Sequence, residues 1–322
     1  MPRHEAHTRS GADRTNLYAE ITSRILAELE AGRLPWIQPW DTAASNAPLA
    51  MPKNAATGSG YSGINVLILW GAVIQRGFTC QSWLTFRQAL SLGGHVRRGE
   101  HGTTIVYADR FVPDDEKRRA HEIGEDAQAI SFLKRFTVFN AAQCEGLPDD
   151  ITIGAPAREP GLIEPKVEAL IKASGIEFRI GGDRAFYVPA HDYVMVPPPQ
   201  AFFEPINWHR TALHECSHAS GAPRRLNRDL SGSFGSKKYA FEELIAEISA
   251  AFCCAALGIV PTVRHADYIG SWAEVLREDN RAIVRAASQA SKAADYLLAF
   301  LPNDDSLETT APLDTHEPME AA

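Results

Sequence analysis

Five consecutive residues, His214-Glu215-Cys216-Ser217-His218, are the part of this sequence best suited to do chemistry. Two histidines four apart on a helix lie on one face, one turn from each other, so both imidazoles can reach a single metal ion. The glutamate between them is then placed to act as general base on a water that the metal activates. The flanks predict such a helix. No breaker interrupts Ile206 to Leu213, Pro205 suits a first turn, and Gly221 and Pro223 end the run soon after His218. Cys216 points off the histidine face and reads as a small buried filler, not a ligand.

A catalytic zinc takes three protein ligands and keeps one position open. The third is expected from Tyr239 to Phe252, a helical pattern entered through the Gly/Ser loop Ser231 to Ser236. The stretch Ile248 to Val260 carries no charge, so this helix is expected to be buried. Carboxylates on a buried helix are costly unless paired or bound to a cation. Glu243 and Glu247 are four apart and share a face, whereas Glu242 points about 100° away from Glu243. Glu243 is therefore the expected third ligand, with Glu247 behind it accepting the free N–H of a ligand imidazole. Glu242 as the ligand stays open. Tyr239, one turn before Glu243, is a candidate donor to an oxyanion. The chemistry is metal-assisted hydrolysis of a peptide bond, with Glu215 moving the proton from water to the leaving amine. A set of two histidines and a glutamate takes Zn²⁺, and also Mn²⁺ or Co²⁺.

The elements that position these groups belong to a chain of 322 residues, a length that suggests two domains. Five cysteines, at 80, 144, 216, 253 and 254, form no paired pattern, which points to a reducing compartment. The N-terminus has no apolar signal core, and the longest apolar run is too short to span a bilayer, so a cytoplasmic location and no membrane partner are expected. The net charge of −8 argues against nucleic acid until its distribution is read. Residues 1–145 carry 16 Lys+Arg against 15 Asp+Glu; the rest carries 16 against 25. The N-terminal half is thus balanced, with basic clusters at Arg97-Arg98, Lys117 to Arg119 and Lys134-Arg135, and it holds Trp36, Trp40, Trp70 and Trp83.

Aromatic rings beside basic side chains are what single-strand binding requires, because bases stack on rings while cations follow the phosphates. Trp36, Trp40, Tyr61 and Trp83 are the candidate platforms, and Lys53, Arg87, Arg97 and Arg98 the candidate phosphate contacts. Asn54 and Asn65 flank the same segments and join the candidate DNA-binding set. An amphipathic helix is expected from Leu17 to Glu30, a rigid extended segment from Leu34 to Trp40, and a buried helix from Asn65 to Gln75. Thr85 to Gln88 matches a capping box. Thr103 to Tyr107 and Phe132 to Phe139 are expected to pair across a charged insertion, Asp114 to Asp126. In the second half a helix from Pro165 to Ser174 precedes three strands. Phe178 to Ile180 is expected to pair with Ala185 to Val188, and Tyr193 to Val196 is the third. A closing helix runs from Ala282 to Leu301. The fold class is α+β in both halves. The expected organisation is a disordered 1–15, a first domain 16–150, a linker 151–160, a second domain 161–301 and a disordered acidic tail 302–322.

Dispersed motifs add a resemblance. They include Tyr18-Ala-Glu-Ile-Thr22, Gly32-Arg-Leu-Pro-Trp36-Ile-Gln-Pro-Trp40, Tyr61-Ser-Gly63-Ile-Asn65, Trp83-Leu-Thr85-Phe-Arg-Gln88 and Val138-Phe-Asn140-Ala-Ala-Gln143. Further along come Asp192-Tyr-Val-Met-Val-Pro197, the His214 to His218 motif and Glu242-Glu-Leu-Ile-Ala-Glu247. In this order, over residues 16 to 300, they resemble the ArdC-type antirestriction proteins of conjugative plasmids and other mobile elements. The resemblance implies an N-terminal single-stranded-DNA-binding domain and a C-terminal zincin-like metallopeptidase domain, acting to shield incoming DNA from type I restriction. It implies His214, His218 and Glu243 as metal ligands and Glu215 as catalytic acid/base. A host restriction enzyme or another protein is the implied peptide partner. A related N-terminal region occurs in plasmid primases of the TraC kind, though nothing here looks like a primase catalytic domain. The alternative is a DNA-binding shield, or a primase-associated protein, whose zincin half is structural or binds a partner without cutting it.

Overall fold

The computed structural model describes residues 11–31, 34–36, 50–123, 126–128, 130–148, 151, 165–204, 206–260 and 269–301. Helix α1 (Gly11–Glu30) buries Leu17, Ile21, Ile25 and Leu29, one per turn. It starts inside the stretch expected to lack order up to residue 15. Helix α2 (Ile64–Arg76) matches the buried helix read between Asn65 and Gln75 and ends on Gly77 in the left-handed region, φ 64°. Short β1 (Lys53–Asn54) lies parallel to β2 (Ser82–Leu84). The capping box is present at α3 (Phe86–Ser91): Gln88 N donates to Thr85 Oγ1 at 3.2 Å, and Thr85 N donates to Gln88 Oε1 at 2.9 Å. Strand β3 (His95–Val96) later pairs with β6 (Cys144–Glu145).

The expected hairpin is longer than its sequence signal. Strands β4 (Thr103–Phe111) and β5 (Ile130–Asn140) pair antiparallel from Thr103↔Val138 to Phe111↔Ile130. Between them the charged insertion folds as helix α4 (Asp114–Ile123), where Glu116 and Arg119, three apart, form an ion pair at 2.8 Å. The four-stranded sheet runs β1-β2-β5-β4.

After α5 (Pro165–Ala173) come β7 (Glu177–Ile180), β8 (Phe186–Val188) and β9 (Tyr193–Val196). The expected β7–β8 pairing does not form. Strand β9 lies between them, parallel to β7 and antiparallel to β8. The physical reason is burial: Val194 and Val196 are fully buried, while β7 is exposed at Glu177, Arg179 and Ile180 and β8 at Phe186. The most deeply buried strand takes the centre. Among the described residues four further helices complete the half: α6 (Ile206–Ser220), α7 (Lys237–Leu257), α8 (Ile269–Glu278), which the sequence pattern does not announce, and α9 (Ala282–Leu298).

One apolar core crosses both halves. Trp36 meets Trp272 edge-on at 5.5 Å, and Trp70 meets Phe252 at 5.7 Å. Polar links follow the same seam: Thr22 Oγ1 donates to the Asn280 carbonyl at 2.7 Å, and Gly63 N donates to Ser291 Oγ at 2.7 Å. Gly63 has φ 60°, a conformation that leaves its N–H free to reach across. The expected linker beyond residue 151 and the acidic tail lie outside the described residues, as does Trp40. Among the described residues no helix is long and apolar enough to cross a membrane.

Candidate metal centre

Helices α6 and α7 pack face to face, and their shared face carries ionisable groups where apolar ones would be cheaper. His214, Glu215 and Glu243 are each under a tenth exposed, and Glu247 is 1% exposed. Between the helices the two Nε2 atoms of His214 and His218 are 3.1 Å apart, with the rings nearly perpendicular at 82°. Glu243 Oε2 is 3.5 Å from His214 Nε2, and its Oε1 is 3.4 Å from His218 Nε2. These three side chains offer ligand atoms within 4.8 Å of one another. Donors bound to zinc at about 2.0–2.1 Å in a tetrahedron sit about 3.3 Å apart. The spacing, two neutral-capable imidazoles and one carboxylate fit a divalent transition metal.

The electrostatics say the same. Burial works against the His214 imidazolium, but Glu243 and Glu247 outweigh it and push the ring up to about 10. Burial likewise opposes charge on His218, and Glu242 and Glu243 raise it to about 9. Burial opposes the Glu243 anion too, yet the two imidazoles hold its carboxyl well below the usual range. The site therefore gathers positive charge from protons when no cation supplies it.

Glu247 lies where expected, its Oε1 3.3 Å from His214 Nδ1. Glu242, left open as a ligand, is on the other side of His218: its Oε1 is 3.2 Å from Nδ1, away from the Nε2 cluster. The 100° separation from Glu243 sends it there. Two residues not anticipated hold these carboxylates. Arg210 donates through Nη2 to Glu247 Oε2, and Arg228 donates to both oxygens of Glu242 at 3.0 and 2.7 Å. Arg210 stands four residues before His214, a helical-face signal legible in hindsight; Arg228 lies in a loop and carries no periodic signal.

Glu215 lines a cleft of about 460 Å³ together with His214, His218, Glu243 and Tyr239. Burial raises its carboxyl above the ordinary value. Strand β8 forms one wall through Phe186 and Tyr187; the loop holding Asp229 and Phe234 forms another. Cys216 is fully buried, as its off-face position requires, and burial pushes its thiol up.

The N-terminal candidates fare differently. Trp36 is 2% exposed and Trp83 0%, packed on Trp272 and Phe78 respectively. They are core side chains and present no ring for stacking; an indole gains more from burial than from the surface. Asn65 is engaged within the fold: its Nδ2 donates to the Val106 carbonyl at 2.7 Å and its Oδ1 accepts from Val106 N at 2.9 Å, tying α2 to β4. Asn54 Oδ1 accepts from Ala56 N and Thr57 N and so closes its own turn. Tyr61 is half-buried, and burial raises its phenol. Lys53, Arg87, Arg97 and Arg98 are exposed, with Arg97 paired to Glu100 at 2.8 Å. Among the described residues of this half, the large aromatic rings that face water are Phe86 (51%), Tyr107 (60%) and Phe136 (46%). Tyr107 and Phe136 stand edge to face at 6.4 Å on the hairpin, and Tyr107 is opposite Lys134. Strand alternation was the signal for them: Ile105 and Tyr107 share a face, with only the first covered.

Comparison with known proteins matches this geometry to a family. Residues 15–139 match the N-terminal domain of the anti-restriction factor ArdC, and residues 165–289 match a zincin-like metallopeptidase domain. The metal-free crystal structure of the antirestriction ArdC protein from plasmid R388 is 37% identical, with a TM-score of 0.75 over 89% of this chain and 100% of that one. The chain belongs to the ArdC antirestriction family. The Mn(II)-bound structure of the same ArdC protein is similar at a TM-score of 0.72 and 36% identity, over 89% of this chain and 99% of that one. The uncharacterized protein y4eC of Sinorhizobium fredii is 39% identical over 88% of this chain and 92% of its own length. DNA primase TraC of Escherichia coli is 36% identical over 91% of this chain, which spans only 28% of that primase. The α+β architecture with an ArdC-like first half and a zincin-like second half is thus a family property.

Proposed function

We propose that this protein is a cytoplasmic antirestriction factor that grips single-stranded DNA with its first half, residues 16–150, and hydrolyses peptide bonds with its second, residues 161–301. In this reading it protects incoming DNA from type I restriction, and a host restriction enzyme is the protein it acts upon. The observation that carries the hydrolytic part is the convergence of His214, His218 and Glu243 within 4.8 Å, beside Glu215 at the floor of a cleft. Those three residues hold the divalent cation, Zn²⁺ in first place, with Mn²⁺ and Co²⁺ accepted by the same donors. A bound zinc supplies Lewis acidity at a scissile carbonyl and makes water a nucleophile near neutral pH.

The protein's own groups do the rest. Glu215 takes the proton of the attacking water and returns it to the departing amine. Its raised proton affinity suits a carboxylate that must hold a proton before passing it on. Tyr239, at the cleft wall, donates to the oxyanion. Phe186 and Phe234 line the same cleft and offer apolar surface to substrate side chains. On the first half, Phe86, Tyr107 and Phe136 replace the buried tryptophans as stacking rings, with Lys53, Arg87, Arg98 and Lys134 following the phosphates.

Replacing Glu215 by alanine tests the reading. The variant is expected to retain the cation and DNA binding and to lose proteolysis and antirestriction in a mating assay with a type I host. Full antirestriction by that variant would leave a DNA shield with a non-hydrolytic second half.

A further inference from the structure

Two arginines stand behind the cation site, and the hydrolytic reading makes no use of them. Arg210 is 1% exposed on α6, one turn before His214. It holds Glu247, which in turn faces His214 Nδ1. Arg228, with a side chain 5% exposed, comes from the loop between α6 and α7 and holds Glu242, which faces His218 Nδ1. Both series run arginine, glutamate, histidine. Both end on the Nδ1 side of a ring whose Nε2 faces Glu243.

That order has an electrostatic consequence. When a cation takes Nε2, the ring keeps its Nδ1 proton and needs an acceptor. A guanidinium on the far side of the carboxylate favours its anion, which can only accept. Stability does not account for the arrangement, because a buried ion pair is often no better than an apolar pair of the same volume. Pairing does: each glutamate behind a ring, Glu242 and Glu247, has its own arginine, Arg228 and Arg210, which leaves Glu243 to face the ion. Arg228 has a further hold, donating to the Ser217 carbonyl at 2.6 Å and to Ser220 Oγ at 2.9 Å. The same guanidinium therefore fixes the glutamate and the end of the helix that carries His218.

We propose that Arg210 and Arg228 are positioning residues for the cation, each pinning one glutamate so that one ligand imidazole keeps its Nδ1 proton and turns Nε2 toward the ion. This rests on the reading of His214, His218 and Glu243 as ligands, and the experiment separates the two. Co²⁺ is titrated into the full chain and followed by visible absorption and by competition with a chromophoric chelator. Wild type is expected to take up the ion and His214→Ala to lose it; no uptake by wild type would overturn the cation reading and this inference with it. Given wild-type uptake, Arg228→Lys is expected to weaken the affinity about 10–100-fold, since an ammonium cannot reproduce the contact with both carboxylate oxygens. The double variant Arg210→Met/Glu247→Leu removes the other pair without stranding a charge. It is expected to keep its thermal midpoint yet lose affinity by a similar factor and shift the cobalt bands. A folded double variant with wild-type affinity and spectrum would overturn the assignment, whether or not Arg228→Lys folds.

Discussion

At the scale of single residues, the two imidazoles set a pH dependence whose sign can be worked out. In the metal-free protein the rings sit near 10 and 9, above the ordinary histidine value, so a cation arriving at neutral pH must displace protons. Cation affinity is expected to rise as pH increases from 6 to 9, and calorimetry in buffers of different ionisation enthalpy should register proton release. Folded-state values above the unfolded ones also stabilise the metal-free fold fully below about pH 6.5. That contribution disappears as pH rises through 9 to 10, so the metal-free thermal midpoint should fall in that window while the loaded protein's holds. Trp36 gives a second prediction. Because it packs on Trp272 at 2% exposure, Trp36→Ala is expected to cost about 3–5 kcal/mol of stability in denaturant unfolding. Any loss of DNA binding should then track the unfolded fraction. The pairing of His214 with His218 was legible because spacing on one helix is a one-dimensional signal. Glu243 and Glu247 were legible because carboxylates stood out in a buried run. Arg228 was not, since its contacts are made by a loop folding back over 14 residues to Glu242.

Among the elements, the β4–β5 hairpin is where aromatic rings stay in water while the tryptophans go into the core. Tryptophan is the best stacking ring in composition, but it is also the side chain a core gains most from burying. Two of the rings left outside, Tyr107 on β4 and Phe136 on β5, stand within the strand spans that alternation marked; alternation does not say which face of a strand another layer covers. Tyr107→Ala with Phe136→Ala is expected to weaken single-strand binding by about 5- to 100-fold, the worth of one stacked base, with the fold intact by circular dichroism. Unaltered affinity in fluorescence anisotropy would count against the hairpin as the platform. Asn65 serves the same hairpin from behind. Its removal leaves the Val106 N–H and carbonyl without their partner, so Asn65→Ala is expected to cost about 1–3 kcal/mol. The three-stranded sheet teaches a related point: strand positions follow from composition, whereas strand order depends on which segment the layers bury, and that is decided by long-range packing.

For the molecule as a whole, the continuous core outweighs the division that length and composition suggest. The Trp36–Trp272 and Trp70–Phe252 contacts and the bonds from Thr22 and Gly63 all cross the seam. A single calorimetric unfolding transition is expected for the full chain, and residues 161–301 expressed alone should unfold at lower temperature or aggregate, having lost the cover over Trp272 and Phe252. The seam was illegible beforehand because a helix's apolar face does not name its partner. It also bears on inheritance. An interior held in common makes the two halves a single cargo, since a breakpoint between them would expose raw surface on each. The similarity to TraC, a much longer protein that carries a counterpart to 91% of this chain, is what joint passage of both halves would leave behind.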